Sequence, residues 1–141
     1  GAKYGSVSSE ITLIDSELNT LANNSISVAG AAVTTAVGCI EANIILTLAA
    51  QGNARSANAA ISLWLVPESG DVYTDIDESC LGFPDVIFPL DNTANGRSVV
   101  VANVQLPNSK FKAVVKNATG QALAASGNSV KIEAYSFDNP S

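Results

Sequence analysis

The chain has 141 residues, 47% of them hydrophobic and only 14% charged, so it is long enough for one domain and too apolar for disorder driven by low hydrophobicity. Its apolar runs, such as residues 44–50, fall far short of the ~18–20 residues that a membrane-spanning helix needs. A net charge of −6 argues against a nucleic-acid partner, and the absence of histidine removes the commonest general base together with the commonest metal ligand.

In chain order, residues 1–4 carry one positive charge and no apolar core follows, so the start reads as lacking a secretion signal. Ile11, Ile14, Leu18 and Leu21 then fall at helical spacing, with Ser8 or Ser9 available as a cap. The competing reading is a short strand over residues 10–14 followed by an extended arm through Asn23 and Asn24. The small, polar and β-branched residues from 23 to 37 favour extended chain. The division expected is an N-terminal arm or short helix over 1–24 and a β domain over 25–141.

From residue 38 onward the period is two. Residues 38–48 are apolar on both faces and predict a central strand. Ile61, Leu63 and Leu65 alternate with Ser62, Trp64 and Val66. Val99, Val101 and Asn103 alternate with Val100, Ala102 and Val104. Phe111, Ala113 and Val115 alternate with Lys110, Lys112, Val114 and Lys116, which puts three lysines on one face. Val130, Ile132 and Ala134 alternate with Lys131, Glu133 and Tyr135. Gly52, Gly70, Gly96, Gly120 and Gly127 mark turns between these runs, and the five prolines stand at run ends. The pattern predicts an all-β fold, an antiparallel β-sandwich of jelly-roll-like form with about 7–8 strands.

Candidate chemistry is sparse. Cys39 and Cys80 match no zinc or redox spacing and read as small buried apolar residues rather than a disulfide. Asp75, Asp77 and Glu78, with Asp71 nearby, are the best candidates for a cation site, because hard cations want several converging carboxylates. The EF-hand order is not met, and a solvated hairpin tip is the preferred reading, with no metal expected. Lys110, Lys112 and Lys116 form a face that could dock on an acidic protein surface or guard an edge strand. Trp64 and Tyr135 read either as interface anchors or as core. Asn23 and Asn117 each begin an N-glycosylation triplet of the kind that arises by chance in such a chain. No nucleophile elbow, dinucleotide fingerprint or P-loop occurs, so no enzymatic activity and no cofactor is expected.

Leu106-Pro107, Phe111-Lys112, the run from Asn117-Ala118-Thr119-Gly120 to Ser126-Gly127-Asn128, and Val130-Lys131-Ile132 give the last third a recognisable layout. It resembles that of the small head-associated proteins of tailed bacteriophages, the capsid decoration or cement type. Ile61 to Val66, followed by Ser69-Gly70-Asp71-Val72-Tyr73-Thr74-Asp75, is similar to a strand and hairpin of those proteins. The resemblance implies a structural virion protein, made in the host cytoplasm and bound to the outer surface of the head. Its implied partner is the major capsid protein, its implied state a homotrimer, and its implied task stabilisation of the capsid lattice. It implies no catalytic residues, and it makes the N-terminal segment, with Ile11, Ile14, Leu18 and Leu21, the first choice for capsid contact. Two other readings stand beside it. One is a carbohydrate- or receptor-binding β-sandwich, fibre-like or lectin-like, using Trp64, Tyr73 and Tyr135 near acidic loops. The other is an adhesin or pilin-like subunit.

Overall fold

Strand β3 (Glu41–Leu48) shows how the alternating pattern becomes a fold: Ala42, Ile44, Leu46 and Leu48 are buried, while Glu41, Asn43, Ile45 and Thr47 lie half-covered on the other face. The structure, a computed structural model, describes residues 3–7, 10–35 and 41–138, with side chains for 10–35 and 41–135. Two antiparallel sheets stack on one apolar core. In the first, β1 (Lys3–Val7) and β2 (Ile11–Ile14) both pair with β8 (Ser129–Asp138), which pairs with β3, which pairs with β6 (Arg97–Gln105). In the second, β4 (Ala60–Pro67) lies between β5 (Val86–Pro89) and β7 (Phe111–Ala118). Ile44, Leu46, Ile132 and Ala134 of the first sheet meet Ile61, Leu63, Phe88, Phe111 and Val115 of the second in that core.

Residues 24–33 complete the second sheet. They run antiparallel along the open edge of β7, where the amides of Asn24, Ser27, Gly30 and Val33 donate to the carbonyls of Asn117, Val115, Ala113 and Phe111 at 2.7–2.9 Å. The Ser27 hydroxyl accepts from the Val115 amide at 3.0 Å, so a side chain supplies the acceptor that an irregular strand would leave missing. Counted this way, the first segment pairs with the last, 24–33 with β7, β3 with β6, and β4 with β5. A ribbon doubled over and wound into two sheets is a jelly roll.

The short strand read over residues 10–14 is present as β2, and the segment expected to run on as an arm, or to form a helix, belongs to the sandwich. Ile11 and Ile14 pair with Ile132 and Val130, and the register slips between Thr12 and Ile14. That bulge turns both Leu13 and Ile14 inward, which imitates helical spacing within a strand. The Asp15 carboxylate then accepts from the Ser16 amide and starts one 3-10 turn, Ser16–Leu18, which swings Leu18 into the core and carries the chain from the first sheet to the second. The boundary expected at residue 24 is therefore crossed by a continuous core.

A second bulge corrects the alternation expected in β6. Ala42 faces Val104 but Ile44 faces Val101, and the extra residue is accommodated with Asn103 at φ 58°. Val99, Val101 and Val104, rather than one strict parity, lean on the core. Cys80 is free and exposed, not buried; Cys39 lies outside the described residues. Among the described residues, no helix is long and apolar enough to cross a membrane.

Ser27→Ala strands the buried Val115 amide and is expected to lower stability by about 1–3 kcal/mol, whereas Val28→Ala, two-thirds exposed one residue away, is expected to change it by less than ~0.5 kcal/mol. Urea unfolding of the two variants beside the parent checks the contrast.

Candidate functional site

The loops divide between the two ends of the sandwich. At one end, the loops after β3, β5 and β7 converge on Arg55, whose side chain is fully buried. Its Nε donates to the Asp91 carbonyl (3.1 Å), one terminal nitrogen to Gln51 Oε1 (2.8 Å), and the other to Asp91 Oδ1 (2.6 Å) and the Asn95 carbonyl (2.9 Å). The Gln51 amide passes the connection to Thr119 Oγ1 (3.0 Å) and the Ala122 carbonyl (3.1 Å). Thr119 Oγ1 bonds Asn117 Oδ1 (2.7 Å), and Asn117 Nδ2 reaches the Leu21 carbonyl (2.9 Å). Asp91 also pairs with Arg97. Burial pushes the Arg55 guanidinium below its ordinary pKa, though it stays charged because four acceptors surround it.

This network also explains the small-residue loop after β7. Gly120 sits at φ 89° against Ser56, and Gly127 at φ 85° against Ala49, two reversals that side chains would strain or crowd. Asn128 accepts from the Ala49 amide and donates to the Ala124 carbonyl. The loop therefore closes its own end of the sandwich. Asn117, the start of one glycosylation triplet, is buried within that closure.

On the second sheet, the outer face is covered rather than solvated. Trp64, Val66 and Val114 form a second apolar cluster with Ile26, Ala29, Tyr73 and Leu81. The cover is an excursion, residues 68–85, inserted between β4 and β5 and carrying one short helix, α1 (Glu78–Leu81). Four side-chain contacts pin it down. Trp64 Nε1 donates to the Gly82 carbonyl at 3.1 Å. Asp85 Oδ2 accepts from the Leu65 amide at 2.7 Å. Lys112 Nζ stands 4.3 Å over the Tyr73 ring, a cation–π contact. Lys116 pairs with Glu78 at 2.5 Å. The Tyr73 hydroxyl donates to Glu68 Oε2 at 3.0 Å; desolvation first, then the Glu68 carboxylate, raises its pKa.

The candidate residues divide accordingly. Ile14 and Leu18 are core, and Ile11 and Leu21 pack against it. Of the three lysines, Lys112 and Lys116 are held by the excursion and Lys110 is exposed. The acidic trio does not converge: Asp77 caps α1, Glu78 pairs with Lys116, and Asp75 is exposed with its carbonyl accepting from the Asp77 amide. Among the described residues no three histidine, cysteine or carboxylate side chains are grouped to hold a metal ion. Trp64 points outward by parity yet is only 4% exposed, and Tyr135 is 6% exposed beside Glu41 and Asn103.

Phe83 was given no role in the sequence, yet it is the most exposed large apolar side chain described, at 96%. Val72, Ile76 and Ile87 are also exposed. Val72, Ile76 and Phe83 all stand on the excursion, and Ile87 pairs with Ser62 on the same sheet. Beside Phe83 lies a hollow of about 190 Å³ walled by Trp64, Val66, Pro67, Leu81 and Asp85. The sequence signal was available in Leu81-Gly82-Phe83-Pro84, an apolar step inside an acidic stretch.

The geometry defines a jelly-roll sandwich with one end locked by buried polar contacts and one sheet covered by an acidic, apolar-tipped excursion. In comparisons with known proteins, no family model, no curated protein and no solved structure matches the chain.

Arg55→Ala leaves Gln51, Asp91 and two carbonyls without their shared donor and is expected to destabilise by about 3 kcal/mol, the low end for breaking a buried pair, since Asp91 is partly exposed and keeps Arg97. Chemical unfolding measures it. The Ser79 amide and hydroxyl hold the Asp77 carboxyl below its usual pKa. A depressed folded-state pKa stabilises above the unfolded value and is lost as pH falls through the folded one. The α1 cap should therefore persist at neutral pH and loosen in acid. An NMR titration of Asp77 should show its midpoint rise in Ser79→Ala.

Proposed function

We propose that the chain is a non-catalytic structural protein of a virion, a decoration protein that binds the outer surface of a tailed-phage head and braces the capsid lattice. The observation that carries this reading is the use made of the two kinds of side chain. Many of the charged groups are spent within the molecule: Arg55 and Arg97 on Asp91, Lys116 on Glu78, Asp77 on a helix cap, and Asp85 on a strand amide. Apolar groups, Phe83 foremost, face outward on the second sheet. That division suits a covering protein better than a catalyst, because catalysis needs titratable groups left available beside a cavity. The resemblance of the last third to decoration proteins points the same way, and jelly rolls recur in capsid domains, although a fold alone does not fix function.

The mechanism would be linkage. A protein that binds the mature lattice and not its dissociated subunits stabilises that lattice by mass action, and many copies joined in trimers gain through avidity. The sugar-binding reading is weaker, because it needs open aromatic platforms: Trp64 and Tyr135 are covered and Tyr73 lies beneath Lys112.

The test uses heads of the tailed phage that encodes the chain, stripped of their decoration. The purified chain should cosediment with them to saturation and raise their disruption temperature. In light scattering it should run at three times its 14.4 kDa mass. No cosedimentation and no thermal shift would contradict the proposal.

A further inference from the structure

We infer that the outward side of the 68–85 excursion is a docking surface for a protein that presents an apolar socket within a basic rim, with Phe83 as the inserted side chain. The inference deepens the proposed function and rests on it only for the partner's identity as the capsid lattice; the chemistry of the surface stands by itself.

Two features of the excursion act together. It divides its apolar residues between two sides: Tyr73 and Leu81 turn inward onto Trp64 and Val114, while Val72 and Phe83 are largely exposed and Ile76 is partly so. Phe83, at 96%, is left almost wholly uncovered by the fold. Exposed aromatic rings are the usual anchors of interfaces, and Phe83 stands at the edge of a hollow that an incoming surface can enter. The hollow beside Phe83 offers a shallow return socket.

The charge decides what the occupant is. The excursion holds six of the chain's 13 acidic residues and none of its seven basic ones. Lys116 answers Glu78, and Lys112 is engaged with Tyr73, whereas Asp71 and Asp75 are exposed and their carboxylates make no hydrogen bond or ion pair among the described residues. A second copy docked through this face would oppose one acidic excursion to another, which complementarity penalises. An anionic lipid surface would repel it for the same reason. A basic partner surface with a pocket for the ring satisfies both features, and its attraction to Asp71 and Asp75 would weaken as salt screens it over ~10 Å.

Two full-chain variants separate the contributions: Phe83→Ser removes the anchor, and Asp71→Asn with Asp75→Asn removes the unpaired charges. All three positions are exposed, so the variants should unfold at the parent's urea midpoint. The isotope-labelled chain is titrated with a short amphipathic peptide of alternating lysine and leucine, followed by NMR. Amide shifts should concentrate in residues 70–85. Phe83→Ser should weaken binding about ten-fold or more, and the double Asn variant should flatten its salt dependence. Shifts scattered over other acidic surfaces, or binding indifferent to Phe83→Ser, would overturn the inference. So would self-association of the parent, in sedimentation without peptide, that Phe83→Ser abolishes. The stripped heads keep the two proposals apart. If Phe83→Ser binds heads as the parent does, the docking surface is wrong and decoration stands. If the parent binds the peptide at 70–85 but no heads, decoration is wrong and the surface stands.

Discussion

Arg55 sits, with its side chain fully buried, where four stretches of irregular backbone come together. The loops after β3, β5 and β7 and the crossing near Leu21 all present carbonyls or amides to one end of a thin core, and the Arg55–Gln51–Thr119–Asn117 chain answers them. Each bond is worth only about 1 kcal/mol net, but leaving its partner orphaned costs more. The network thus fixes which loops meet, and therefore how the doubled ribbon closes. With that end locked, residues 24–33 are held in place to complete the second sheet, since Asn117 both anchors the Leu21 carbonyl and pairs with Asn24 and Ser25 through its backbone.

The consequence for function is an asymmetric molecule. One end spends its polar groups on itself, and its small-residue loop lies against its own sandwich. The outer face of the second sheet is the opposite case. There the covering excursion is almost wholly exposed and is pinned by one indole, one carboxylate and two lysines. Surface ion pairs contribute little to stability, so the Lys116–Glu78 pair serves better to position the excursion than to hold the fold. In the proposed reading, the positioned acidic loop and its outward phenyl ring form the recognition element.

Much of this was legible in the residues. Period-two runs gave the inward faces of β4, β7 and β8, and the turn glycines gave the reversals, because a half-buried strand leaves few other patterns; β3, apolar on both faces in the sequence, keeps a strict alternation of buried and half-covered residues. In the N-terminal segment the strand reading over residues 10–14 matches β2, while the helical spacing misled for a physical reason: a bulge at Thr12–Ile14 and a single 3-10 turn at Leu18 reproduce i, i+3, i+7 spacing without a helix. The lysine face misled because parity reports which side a residue takes and not whether that side is covered; Val114, flanked by lysines, is fully buried. The Arg55 network had no local signature, since its bonded partners lie from 2 to 96 residues apart in the chain. Phe83 stood out only once the neighbouring Leu81 proved to be the inward residue.

The most direct test of a covering role is an electron cryo-microscopy map of the particle that carries the chain. The account predicts jelly-roll density on the outer surface of the head, with the outer side of the second sheet and residues 72–83 turned toward the capsid. Density placed at a fibre tip, or on the head with Phe83 facing bulk solvent and no protein opposite, would contradict it.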